Sequence, residues 1–240
     1  MSPSTRPRLL AALALCLLAA TATPAFVRNV VHFFADFDSS PQGPGSDQKF
    51  EAKGGEFMVQ GPPNVFDLDL RAGGDSVLVV GANPFGLPAI MTASLDEPTE
   101  QAMVKVETEL TPVDGVSDLS VTMIDDNSGG MIDLEFHDDG TVKIGPYVDV
   151  IDLTGQGQNA DVTLFVTVVL RDPLVGAKTW QVTLNVPGVF LKTYTGVILT
   201  PGPMSLSQVR ITRPGPTAVA GTWEVDDLLV TSPNNGSSSN

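Results

Sequence analysis

Beyond its N-terminus, this chain repeats its apolar residues with a period of two, and Gly, Pro, Asn and Asp interrupt the runs. Successive side chains of a strand point to opposite faces, so the pattern dictates half-buried β-strands and leaves no window for an amphipathic helix. It predicts strands near Val30–Phe37, Gly55–Gln60, Val65–Arg71, Ser76–Ala82 and Ala102–Leu110. Further strands are expected near Asp118–Ile124, Met131–His137, Thr141–Ile144, Asp161–Arg171 and Thr179–Val186, then Val197–Thr200, Ser207–Thr212 and Thr222–Val230. Many short strands without a helix point to an all-β fold, with two antiparallel sheets packed face to face as a sandwich. No internal repeat or linker divides the chain. Residues 23–231 are therefore read as one β-sandwich domain and 232–240 as a disordered polar tail.

The middle of the chain specifies a register. Ile132, Leu134 and Phe136 alternate with Asp133, Glu135 and His137. Asp138-Asp139-Gly140 fits a three-residue hairpin loop, a type I turn closed by Gly in the left-handed region. That loop pairs Phe136 with Val142 and Leu134 with Ile144 on the buried face, and Glu135 with Lys143 on the polar face. Upstream, the looser turn Asp125–Gly130 sets Met123 against Ile132, Val121 against Leu134 and Leu119 against Phe136. A slip of one residue would bury the carboxylates, so the register is strongly determined. Later, Val162, Leu164, Val166, Val168 and Leu170 form one face of a strand. Phe165 and Val169 make its other face partly apolar, as for a strand covered on both sides. Trp180, Val182, Leu184 and Val186 continue the pattern, and both Trp180 and Trp223 read as core residues.

The N-terminus has a different logic. Arg6 and Arg8 precede an apolar stretch, Leu9 to Ala20, and Ala20-Thr21-Ala22 offers small residues at a cleavage point. Residues 1–22 are thus expected to be a Sec signal peptide, too short to span a bilayer as a helix, so that no transmembrane anchor remains after cleavage. The protein is expected to be secreted, periplasmic or extracellular. Cys16 is the only cysteine and would leave with this segment; Leu15 before it does not fit a lipobox. The mature chain would then have no disulfide and no Cys-based zinc site. A domain of this size buries a sufficient core without them.

The chain carries 13 basic and 28 acidic residues, a net charge of −15, and loss of Arg6 and Arg8 makes the imbalance larger. Nucleic-acid binding is excluded as a reading, because it needs clusters of Lys and Arg to displace counterions. Acidity of this degree suits solubility, a salty environment or divalent cations, but a solvated acidic surface is the favoured account of it.

Few catalytic groups stand out. His32 and His137 are the only histidines, neither lies in an HxH or HxxxH arrangement, and no GxSxG element is present. Asp133 and Glu135 project from one strand face about 7 Å apart by strand rise. That spacing permits the acid/base pair of a glycan-active enzyme. Ser120, Thr122, His137, Thr141 and Lys143 share the face without an aromatic platform, and Lys143 opposite Glu135 favours simple charge pairing.

The termini carry a family signal. Phe33-Phe34-Ala35-Asp36-Phe37-Asp38 opens the domain, and Trp223-Glu224-Val225-Asp226-Asp227-Leu228-Leu229-Val230 closes it. These segments resemble the ends of jelly-roll carbohydrate-binding modules and of the concanavalin A-like lectin, glucanase and laminin-G sandwiches. The resemblance implies a jelly-roll or lectin-like sandwich whose first and last strands are neighbours. It also implies a structural calcium ion held by Asp38 and Asp226, with Asp36 and Asp227 next. Calcium takes six to eight oxygens, so two carboxylates with loop carbonyls would suit it and relieve repulsion between the strands. Otherwise these acids face solvent and blunt an edge strand. The hydrolases of the group carry a Glu-x-Asp-x-x-Glu strand; the nearest stretch here, Met131–Phe136, has Met131 in place of the first Glu. That departure points away from catalysis. The leading expectation is an exported, non-catalytic module that binds a glycan or another surface polymer. A structural or adhesive surface protein with a protein partner, and a glycan-active enzyme built on Asp133 and Glu135, are the alternatives.

Overall fold

A computed structural model describes residues 29–37, 43–45, 49–50, 52–62, 65–70, 76–99, 101–126, 129–145, 147–153, 162–173, 175–200, 202–216 and 221–233. Residues 1–28, where the signal segment is read, and 234–240 lie outside them. The strands run β1 (Asn29–Ala35), β2 (Gly43–Gly45), β3 (Lys49–Phe50), β4 (Gly55–Gln60), β5 (Phe66–Leu70) and β6 (Ser76–Val80). Next come β7 (Ala89–Thr99), β8 (Met103–Val113), β9 (Leu119–Asp125), β10 (Gly130–Phe136), β11 (Thr141–Ile144) and β12 (Tyr147–Asp152). The last are β13 (Leu164–Arg171), β14 (Thr179–Val186), β15 (Phe190–Val197), β16 (Leu206–Arg213) and β17 (Thr222–Pro233), and no helix occurs among the described residues.

Two sheets make a lectin-like sandwich. The nine-stranded sheet runs β15-β14-β13-β8-β17-β6-β5-β2, with β1 also on β17; the eight-stranded sheet runs β12-β11-β10-β9-β16-β7-β4-β3. The first and last strands are therefore neighbours, as the family resemblance implies. Aromatic side chains stitch the layers together. Phe136 of the smaller sheet lies 5.3 Å, centroid to centroid, from Trp223 of the larger one. Phe57 of β4 meets Phe37, just beyond β1, edge to face at 5.2 Å. Such pairs contribute about 0.5–1.5 kcal/mol each beyond the area they bury. Trp180 is also buried. Its ring lies against Gly196, where any Cβ would collide with it.

The β9-β10-β11 meander has the register read from the sequence. Leu134 faces Ile144, Glu135 faces Lys143 and Phe136 faces Val142. On the other side Ile132, Leu134 and Phe136 face Met123, Val121 and Leu119. Gly140, at φ +83°, supplies the left-handed residue of the turn.

Three longer strands differ from expectation, each for a physical reason. β7 escapes notice because two of its inward residues, Ala89 and Ala93, are small and give a weak apolar signal. β12 is an added edge strand beyond β11. β15 spans Phe190–Val197, where the sequence reading has a strand only at 197–200. It is exposed along most of its length, so pairing with β14 specifies it and amphipathic alternation does not.

β17 carries a slip in its apolar pattern, and the backbone absorbs it. Trp223 and Val225 point inward, and so do Leu228 and Val230, with two residues, Asp226 and Asp227, between the two pairs. Asp226 pairs with Glu109 but Leu229 pairs with Glu107, so β17 holds one residue more than β8. This is a β-bulge. Asp227 takes φ +48°, a region that Asp tolerates better than most side chains, and its N–H donates to Asp226 Oδ1 at 2.9 Å. The strand also continues to Pro233, past the boundary read at 231. Ser232 is buried, and its hydroxyl lies 2.7 Å from His32 Nε2 of β1.

Arg213, at the end of β16, is wholly buried. Its guanidinium donates to Ser117 Oγ and Gly221 O, both at 2.7 Å, and to Asp118 O. Trp223 Nε1 donates to Ser117 O at 2.9 Å, so one cation ties the β8–β9 connection to the start of β17. Burial lowers the Arg213 pKa, while nearby Asp118 raises it. Arg213→Ala would strand these buried acceptors, and urea unfolding should show a loss of about 3 kcal/mol or more. Arg213→Lys should recover little of it, because a single ammonium cannot reproduce the planar fork. An unchanged unfolding midpoint for both variants would show that the clamp carries no stability.

Candidate functional site

The residues singled out in the sequence are placed as follows. Asp226 is buried and Asp227 exposed, both in the bulge of β17, and Asp36 is half-buried just after β1. Asp38 lies outside the described residues. Because β17 is flanked by β8 on one side and by β6 and β1 on the other, its acids do not blunt an edge strand. Among the described residues no group of three or more His, Cys, Asp or Glu stands close enough to hold a metal ion.

Asp133 and Glu135 sit on the outer face of β10. Glu135 accepts from Lys143 Nζ at 3.2 Å and lies 3.7 Å from His137 Nε2, whose Nδ1 is 3.9 Å from Asp118 Oδ1. A small cleft of about 340 Å³ is lined by Asp118, Glu135, His137 and Pro214, among others, but not by Asp133. The fold brings Glu135 together with Asp118 through His137, and leaves Asp133 out. Trp180 and Trp223 are core residues, Tyr194 packs half-buried against the core, and the side chain of Tyr147 lies outside the description. None of the tryptophans offers a platform.

The larger concavity, about 440 Å³, crosses the outer face of the nine-stranded sheet. Five strands build it. β8 contributes Glu107 and Glu109, β13 contributes Phe165 and Thr167, and β14 contributes Asn185; Phe34 of β1 and Asp227 of β17 close one side. Strand register puts these groups in rows. Phe165 stands directly between Glu109 and Asn185, and Thr167 between Glu107 and Thr183. Lys105 binds Glu107 at 2.6 Å. The ring of Phe165 is 36% exposed, so this face of β13 is not covered by a further layer as its apolar content suggests. The arrangement provides an apolar ring between a carboxylate and an amide, a surface that can touch C–H groups and hydrogen-bond hydroxyls together. Sequence reasoning missed this site. The available signal was an aromatic at an outward position of a strand beside a strand with two outward glutamates.

No protein-family model matches the sequence, and no curated protein is similar to it in sequence. Similarity is found among solved structures. A sialidase superposes with a TM-score of 0.54 at 15% identity over 85% of this chain, which spans only 19% of that protein. The seed lectin of Lotus tetragonolobus superposes with a TM-score of 0.50 at 10% identity, covering 80% of this chain and 99% of the lectin. The PL-14 alginate lyase of Aplysia kurodai gives 0.50 at 8% identity, covering 70% and 87%. The fold is that of the lectin-like sandwiches. At such identities the likeness shows the fold alone, because one sandwich hosts many chemistries.

β1 helps to shape the groove through Phe34, and His32 on the same strand has its pKa lowered by burial. A base depressed in the folded state is protonated first in the unfolded chain. Its contribution is fully present above the unfolded value of about 6.5 and is lost as pH falls through the folded value. Thermal midpoints measured from neutral to acid pH should therefore fall more steeply for the native protein than for His32→Gln. Parallel profiles would show that His32 does not drive the acid response.

Proposed function

We propose that this chain is an exported, non-catalytic carbohydrate-binding module whose ligand lies in the groove around Phe165. The observation that carries the proposal is the row Asn185–Phe165–Glu109, an exposed ring flanked in register by an amide and a carboxylate. A ring covers the apolar face of a sugar, and paired polar groups at its sides receive and donate hydroxyl hydrogen bonds. Lectin-like kinship of the fold agrees with this use, since one of the similar structures is a lectin.

The acids narrow the ligand class. Glu107, Glu109 and Asp227 line the groove, and Glu107 is engaged by Lys105. Such a surface repels uronates and sialates and favours neutral or amino sugars. In glycan-array screening, binding should be confined to neutral and amino glycans. Phe165→Ala should weaken it about tenfold, the equivalent of about 1.4 kcal/mol. Array binding restricted to anionic glycans, or unaffected by both Phe165→Ala and Glu109→Gln, would remove the groove from consideration.

A structural calcium near the β1–β17 junction belongs to the same proposal. Asp226 and Asp227 of β17 and Asp36 just after β1 carry hard oxygen donors. A site would need Asp38 and backbone carbonyls as well, because no three of the described acids stand close enough to hold a metal by themselves. Calcium would there neutralise carboxylates and hold the bulge. At a hundredfold excess over its Kd, calcium should raise the thermal midpoint by about 5–10 °C. A chelator should reverse the shift, and an Asp38→Ala plus Asp226→Ala double variant should abolish it. No shift in the native protein would remove the calcium site from the proposal.

A further inference from the structure

The nine-stranded sheet ends at β15, which pairs only with β14 among the described residues. Ile198 N donates to Lys178 O at 2.9 Å, in phase with the β14–β15 register. Hydrogen-bonded pairs alternate in an antiparallel ladder, so the even-numbered residues of β15 bond to β14. Leu191, Thr193, Thr195 and Val197 consequently turn their N–H and C=O groups away from the sheet. All four are exposed, Leu191 at 66% and Val197 at 38%. An eight-residue strand with open ladder groups and exposed apolar side chains is a template for another strand.

Charge decides which partner fits. No Asp or Glu occurs between Asp172 and Glu224, so β14, β15 and β16 carry none of the 28 acids. Two copies of a chain with net charge −15 repel over most of their surface, and this edge is where they can approach at least cost. The strand is also complementary to itself. We infer that β15 pairs with β15 of a second copy of this chain, antiparallel about a two-fold axis through Tyr194. In that register Thr193 faces Thr195 of the second copy and Leu191 faces Val197 of the second copy. Every outward-turned N–H and C=O of β15 gains a partner. Lys192 faces Gly196 of the second copy, whereas an axis through Lys192 would oppose two ammonium groups. The two larger sheets become one continuous sheet, closed by a two-fold axis.

Sedimentation equilibrium of the purified protein over rising concentration tests this. The mass should climb from monomer toward dimer, and added salt should strengthen association by screening the remaining charge. Thr193→Pro removes an outward N–H and leaves the β14 ladder intact, so it should remain monomeric with an unchanged unfolding midpoint. Leu191→Lys, which leaves every backbone group in place, should also hold the protein monomeric and serves if the proline variant fails to fold. A native protein that stays monomeric at every concentration overturns the inference, as does a dimer that survives in both folded variants. A monomer whose β15 amides gain hydrogen-exchange protection only from an added foreign strand peptide would assign the edge to another partner, and would likewise overturn it.

Discussion

The structure depends on how one strand, β17, reconciles two apolar phases. It is paired on both sides, to β8 along one edge and to β6 and β1 along the other. A regular strand would bury Trp223 and Val225 and then turn Leu228 and Val230 to solvent. The extra residue at Asp226–Asp227 reverses the phase and keeps all four inside. Because β17 sits near the middle of its sheet, both the inner layer contacts of Trp223 and the seat of β1 rest on this bulge. The same distortion brings an exposed carboxylate, Asp227, to the rim of the groove. Packing requirement and site geometry thus share one backbone irregularity.

The two outer faces differ in kind. On the smaller sheet Glu135 is engaged by Lys143 and His137, which spends its charge locally. On the larger sheet the register aligns Phe165 with Glu109 and Asn185, so an exposed ring has polar neighbours at fixed distance across the strands. Sheets place such groups with more precision than loops do, because hydrogen-bond register sets their spacing. The acid-free edge at β15 lies in the same sheet as the groove, beyond β14.

Legibility followed the strength of local pattern. The β9-β10-β11 meander was readable to the residue, because alternation, a Gly-closed turn and a Glu–Lys pair all specify the same register. The burial of Trp180 and Trp223 was readable for the same reason. β7 and β15 were not. Alanines at inward positions mute the apolar signal of β7, and β15 is exposed on much of both faces. Phe165 was read as covered when it is open, because alternation tells which side a residue faces but not whether another layer lies there. Asp133 and Glu135 were correctly placed on one face, yet the fold joins Glu135 to Asp118, a residue on a different strand's approach.

By itself the sequence determined the class of structure: side-chain period two, turn chemistry and the absence of helical spacing leave only antiparallel sheets with one buried face each. It also determined local register, since a slip would bury carboxylates. Tertiary structure alone decided which strands are neighbours across long separations, and hence that Phe34, Glu109, Phe165, Asn185 and Asp227 meet in one groove. The physical reason is that sheet order is set by packing and pairing between segments far apart in the chain. No local pattern in the chain carries that information.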